Sequence, residues 1–212
     1  EALRQIGQRL KTRKYRGITL IGNGNYHYVT YLLLAEIRQP FALVLLDHHT
    51  DFAPGGDAPL LSCGSWVGAA LAALPHLRYV AIVGARPAVL PNTSVIPNRV
   101  TVISEHEIRR LSAAELAQTL RSKLPDLPLY ISVDKDVLSP ENAVTNWDQG
   151  SMTLRQLLDA IRELKRTHPL LGVDICGELP LSPVEFLSDE RVRDLVKNET
   201  VNRAIVDVLL AG

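Results

Sequence analysis

Asp47, His49 and Asp51 stand at every second position of Leu45-Leu-Asp-His-His-Thr-Asp-Phe52, where an apolar run gives way to polar residues. In an extended chain alternate side chains share one face, so the spacing predicts two carboxylates and an imidazole aimed at one point beyond a buried strand. Such a group is costly to hold together unless a cation offsets its charge. Asp134 and Asp136 repeat the alternate spacing in Ile131-Ser-Val-Asp-Lys-Asp-Val-Leu-Ser-Pro140. His27 closes Gly22-Asn-Gly-Asn-Tyr-His, and Asp174 and Glu178 lie in Gly172-Val-Asp-Ile-Cys-Gly-Glu-Leu-Pro180. His27, Asp47, His49, Asp51, Asp134 and Asp136 together offer four carboxylates and two imidazoles, a set suited to a pair of divalent cations that share bridging carboxylates. Carboxylate-rich ligation favours hard ions, so two Mn²⁺ are expected, with Zn²⁺ or Fe²⁺ as alternatives. Two such ions about 3.5–4 Å apart generate a bridging hydroxide at neutral pH and clamp a tetrahedral intermediate.

The elements that must position these residues alternate between apolar strand-like runs and helical patterns. Strands are predicted at Ile18–Ile21, Phe41–Leu46, Tyr79–Val83, Val100–Ile103, Leu129–Val133 and Leu170–Cys176, about six in all. Helices are predicted over a segment with Ala2, Ile6 and Leu10 at helical spacing, then Tyr28–Ile37, Trp66–Leu74, Leu111–Leu124, Thr153–Arg166 and Asp189–Leu210. Ser112 with Glu115 three residues on reads as a capping box. Continuous apolar strands joined by helices predict an α/β fold, a mostly parallel sheet covered on both faces. In such sheets ligands bind at the carboxyl ends of strands, where the polar motifs fall. The alternation also predicts that His48 and Lys135 point away from the shared face, and a lysine buried under the covering helices calls for an ion pair.

Composition narrows the class. The chain has 212 residues with 46% hydrophobic and 22% charged, enough for one domain with a sizeable core. Lys plus Arg and Asp plus Glu are 23 each, so no basic excess points to nucleic acid. Two cysteines, Cys63 and Cys176, make no disulfide framework and fit a reducing compartment. No apolar run approaches the roughly 20 residues that span a bilayer. A cytoplasmic protein acting on a small molecule is expected, without nucleic-acid or membrane partners, and with homo-oligomerisation left open.

Asp-X-His-Thr-Asp followed far downstream by Ser-X-Asp-X-Asp-X-X-X-Pro resembles the arginase/agmatinase (ureohydrolase) family, in a divergent form. Ser62-Cys-Gly-Ser65, Ile82-Val-Gly-Ala-Arg86 and Val102-Ile-Ser-Glu-His-Glu107 fall in the family's order, and the resemblance runs from about Gly22 to Pro180. It implies a three-layer α/β/α domain with an arginase/deacetylase-like, eight-stranded sheet, so a single domain over 1–212 that lacks an N-terminal segment is expected. It implies that His27, Asp47, Asp51 and Asp134 ligate one Mn²⁺, and Asp47, His49, Asp134 and Asp136 the other, with Asp47 and Asp134 bridging. Asp51 would help pass a proton to the departing amine, Glu178 would accept hydrogen bonds from a guanidinium, and Cys63 would occupy the substrate-facing position of a proton-shuttling histidine. The departures lie on the substrate side. Tyr26 replaces an acidic neighbour of the first ligand, Cys63 a histidine, Ala53 an asparagine and Ser139 an aspartate, and Glu178 comes one position late.

The expectation is therefore a binuclear-metal hydrolase that cleaves a non-peptide C–N bond of a guanidino or amidine substrate. The alternatives are an arginase-like protein that keeps its metals without ureohydrolase activity, in a binding or scaffold role, and a deacetylase-like amidohydrolase.

Overall fold

The computed structural model describes residues 2–13, 17–52, 61–86, 98–180 and 182–211. Six strands, β1 (Ile18–Asn23), β2 (Phe41–Leu46), β3 (Leu77–Ala85), β4 (Val100–Ser104), β5 (Leu129–Asp134) and β6 (Leu170–Glu178), form one sheet in the order β1-β6-β5-β2-β3-β4. Every pairing is parallel. The helices are α1 (Ala2–Lys11), α2 (Val29–Leu34), α3 (Trp66–Ala73), α4 (Glu105–Ile108), α5 (Ala113–Lys123), α6 (Leu154–Thr167) and α7 (Asp189–Leu210).

Strand β2 shows why both faces are covered. Phe41, Leu43 and Leu45 enter a core with Trp66, Val67 and Leu71 of α3, while Ala42, Val44 and Leu46 enter a second core with Leu116 of α5, Ile161 of α6 and Ile205 of α7. All six residues are buried, which is what an unbroken apolar run requires. Local signals agree with this packing. Capping boxes at Ser112/Glu115 and Thr153/Gln156 start α5 and α6. The expected helix over Tyr28–Ile37 is shorter: it ends at Leu34, and the chain turns at Ala35 to enter β2. Strands β3 and β6 outrun their apolar cores at both ends or at the C-terminal end. Among the described residues no helix is long and apolar enough to cross a membrane.

The strand order reverses at β2 and β5. After β2 the chain proceeds outward to β3 and β4, and β5 then returns to pair on the other side of β2. Such a switch point leaves a crevice beyond the carboxyl ends of the two strands. Leu46 pairs with Val133, so Asp47 and Asp134 leave the sheet side by side.

Two close approaches hold this corner. Lys135, fully buried, sends its ammonium to the Glu178 carboxylate and to Asn202 Oδ1 at 3.1 Å, tying β5, β6 and α7 together. Gly177 has φ +91°, and a Cβ there would come 2.6 Å from Asp134 Oδ1 and 2.8 Å from the Lys135 nitrogen. Gly177→Ala is expected to lower stability by more than about 1 kcal/mol, since it adds a clash to an unfavourable φ. Urea unfolding measures this, and an unchanged midpoint would refute the close approach.

Candidate metal centre

The approach to the crevice begins at β1. Its last residue, Asn23, caps a one-turn helix over Gly24–Tyr26 by accepting from the Asn25 N–H, and His27 follows as the C-cap. Gly24 passes so close that a Cβ would lie 3.0 Å from Asp134 Oδ2. His27 Nδ1 then faces three carboxylates: Asp47 Oδ2 at 3.2 Å, Asp51 Oδ2 at 3.1 Å and Asp134 Oδ2 at 3.5 Å. Its other nitrogen, Nε2, lies 2.8 Å from Ser132 Oγ, and that hydroxyl donates to Asp174 Oδ1 at 2.7 Å. With the Ser132 proton committed to Asp174, Nε2–H donates to Ser132, and Nδ1 is the nitrogen turned toward the carboxylates.

His49 makes the second half. Its Nδ1 lies 2.9 Å from Asp136 Oδ2 and 3.6 Å from Asp47 Oδ1. Asp47 thus directs Oδ2 to one imidazole and Oδ1 to the other. Among the described residues three groups each bring one ligand atom per residue within 4.8 Å of the others: His27/Asp47/Asp51, Asp47/His49/Asp136 and His27/Asp134/Cys176. Backbone amides steady the carboxylates. The His49 N–H donates to Asp47 Oδ1 (2.6 Å), the His48 N–H to Asp136 Oδ1 (3.0 Å) and the Asp136 N–H to Asp134 Oδ1 (3.0 Å).

The charge balance of this group is what a cation would correct. Asp47 is held well below the usual carboxylate range, because the hydrogen bonds and charges of His27 and His49 outweigh the opposing effect of its burial. Burial, and then the charge of Asp47, pushes the Asp51 carboxyl up to about 6. Burial and neighbouring aspartates likewise raise Asp134, and Asp136 further still. The carboxylates of Asp136 and Asp47 push His49 up to about 12 against its burial. Oxygen and imidazole donors in two clusters that share Asp47, all repelling or protonated as they stand, fit a pair of divalent cations.

All six expected ligands come together here, although by a different local route than alternation along a strand. Strand β2 ends at Leu46, and Asp47–Asp51 follow a turn in which Asp51 takes φ 49°. A left-handed non-glycine residue carries strain that its surroundings must hold. Trp66 supplies the hold: its Nε1–H donates to Asp51 Oδ2 at 2.6 Å, and the Val67 N–H donates to the Asp51 carbonyl at 3.0 Å. Because the strand has ended, alternation does not place His48. Its buried ring lines the same pocket rather than the far side of the sheet.

The pocket has a volume of about 220 Å³, and Cys63 lines it with Arg86 and Trp147. Burial, and then the charge of Asp51, raises the Cys63 thiol, which keeps it protonated and disfavours a nucleophilic role. Glu178 is not among the lining residues. Its Oε1 is taken by the Lys135 ammonium and by Asn202 Nδ2 (2.8 Å). Ala53 lies outside the described residues. Sequence reasoning passed over Trp66, Cys176 (whose thiol donates to Asp134 Oδ2 at 3.1 Å), Trp147 and Asp148. Only the cluster Trp147-Asp-Gln-Gly150, polar and aromatic between Pro140 and the Thr153 cap, carried a local signal.

A model of the Arginase family matches residues 1–182. An uncharacterized protein of Thermotoga maritima is 32% identical over 194 residues, 91% of this chain and 68% of that protein. The fold is similar to that of the arginase from Bacillus caldovelox, with TM-score 0.72 at 18% identity, covering 99% of this chain and 73% of that one. It is also similar to the proclavaminate amidino hydrolase of Streptomyces clavuligerus, with TM-score 0.70 at 20% identity, covering 99% and 70% respectively.

Protons and a cation compete for the same oxygens and imidazoles. Cation binding is therefore expected to release protons, and affinity to fall as pH drops through about 6, where Asp51 takes up its proton. Calorimetry of Mn²⁺ binding in buffers of different ionisation enthalpy measures the release. A heat independent of buffer would contradict the charge balance described above.

Proposed function

The chain belongs to the arginase family, and we propose that its acidic pocket holds two divalent cations and hydrolyses a non-peptide C–N bond of a guanidino or amidine compound. One observation carries this: Asp47 faces His27 with one oxygen and His49 with the other, between two donor clusters. In this reading His27, Asp47, Asp51 and Asp134 hold one cation and Asp47, His49, Asp134 and Asp136 the other, with Mn²⁺ favoured by four carboxylates. Bound there, the cations supply an activated water at neutral pH and a positive field for the carbon under attack.

The chain's own residues supply the rest. Ser132 and Asp174 orient His27, and Trp66 fixes Asp51 in its left-handed turn. Asp51 lines the pocket beside these ligands, and in this reading its carboxylate takes a proton and returns it to the departing amine. The small pocket admits a planar head group of the size of a guanidinium, with Trp147 and Arg86 at its wall. The structural neighbours named for amidino or arginine chemistry agree with this class at the level of fold.

A chain that binds the cations without ureohydrolase turnover is the competing case. The engagement of Glu178 Oε1 by Lys135 and Asn202 favours it, because it draws that carboxylate away from the pocket, which Glu178 does not line. Urea or ammonia release by the Mn²⁺-loaded protein from arginine, agmatine, guanidinobutyrate and related amidines separates the two. Turnover of at least one compound is expected, and none across the series would leave the binding role standing. Asp134→Asn is expected to reduce both cation content and turnover by at least about 10²-fold, above what outer partners of ligands typically cost. Full cation content in that variant would remove Asp134 from the ligand set.

A further inference from the structure

Resting on the metal-centre reading above, we propose that Asp148 is a positioning residue for His49, held in place by Arg86 and by a pinned turn. Asp148 belongs to the loop between β5 and α6, outside the ligand motifs and far in sequence from His49. Its Oδ1 lies 2.8 Å from His49 Nε2, and its Oδ2 accepts from Arg86 Nη1 at 2.9 Å. An ionised carboxylate only accepts, so Nε2 carries a proton, and with a cation bound Nδ1, which faces Asp47 and Asp136, is the nitrogen left to ligate it. Of the six expected ligands His49 has the most exposed side chain, at 27%. It therefore gains most from an external hold, whereas His27 has Ser132 and Asp174 beneath it.

The loop is built to deliver this carboxylate. Gln149 Nε2 donates to the carbonyls of Leu138 and Ala143, each at 3.1 Å, and its Oε1 accepts from the Thr145 N–H at 3.2 Å. The Gly150 N–H donates to the carbonyl of Asp136, itself an expected ligand, at 2.7 Å. A Cβ at Gly150 would come 2.7 Å from the Val137 oxygen and 3.1 Å from His48 Nδ1, so only glycine lets the loop lie this close. On the other side the Trp147 Nε1–H donates to Asn25 Oδ1 at 2.9 Å, and its ring stands edge-on to His49 with centroids 5.8 Å apart. Asp148 thus sits between two anchored residues. His48 Nε2, 3.7 Å from Oδ2, is its only other charged-group neighbour among the described residues.

The test uses the full chain titrated calorimetrically with Mn²⁺, with the His49 tautomer read from long-range ¹H–¹⁵N NMR of the Zn²⁺-loaded protein. The wild type is expected to bind two ions, with His49 protonated at Nε2. Asp148→Ala is expected to weaken one ion by about 10–100-fold, leave the other unchanged and lose the fixed tautomer. Asp148→Asn, which keeps an acceptor oxygen, is expected to restore most of both. Gly150→Ala, which displaces the turn, is expected to weaken the same ion. Equal affinity and an unchanged tautomer in Asp148→Ala would overturn this proposal alone. Equal weakening of both ions in Asp148→Ala and Asp148→Asn would also overturn it, by making the role one of general stability. A wild type that binds no Mn²⁺ would overturn the metal-centre reading together with it.

Discussion

Four carboxylates brought into one crevice repel one another, and their burial leaves little solvent contact to absorb the cost. That repulsion is the constraint around which the rest of the molecule is arranged. Asp47 tolerates its charge because an imidazole stands at each oxygen. Backbone amides from His48, His49 and Asp136 point at the carboxylates of this group. Behind each imidazole stands a further acceptor, Ser132 with Asp174 for His27 and Asp148 for His49. The two histidines are thus both aimed from behind, one by a buried strand and the other by a surface loop.

The parallel sheet makes this arrangement affordable. Its strands are buried by helices on both faces, so their apolar runs need no polar compensation along their length. Backbone groups freed at the strand ends become the donors that the carboxylates require. The reversal between β2 and β5 puts the two most acidic strand ends next to each other. A packed core on either side then resists their separation. Stability of the sheet is in this sense what sustains an electrostatically unfavourable site.

The substrate side follows a different logic from the donor side. Cys63 presents a protonated thiol to the pocket, and Glu178 serves a buried lysine rather than the opening. The lysine lies between Asp134 and Asp136 in sequence but on the opposite side of the chain, where α7 brings Asn202 to meet it. A positive charge buried there without Glu178 would be expensive. Glu178 Oε1 is held by Lys135 and Asn202 and the residue does not line the pocket, so family membership and substrate handling are separate questions in this chain.

Much was legible without coordinates. Unbroken apolar runs dictated buried parallel strands, and the spacing of Asp47, His49, Asp51, Asp134 and Asp136 marked where they end. Those signals are local: a period of two, a capping box at Ser112 and a change from apolar to polar residues. The mutual approach of the Asp47 and Asp134 regions, by contrast, depends on the strand order, which no local pattern encodes. Asp51 reaches its place through a left-handed turn that Trp66 sustains, and His48 lines the pocket because β2 stops at Leu46. Sequence alone determined which carboxylates and imidazoles fall at the ends of the apolar strands. Tertiary structure decided which oxygen faces which imidazole, which side chains stand behind the two histidines, and that Glu178 Oε1 meets Lys135, because each of these is a contact between separate elements of the chain.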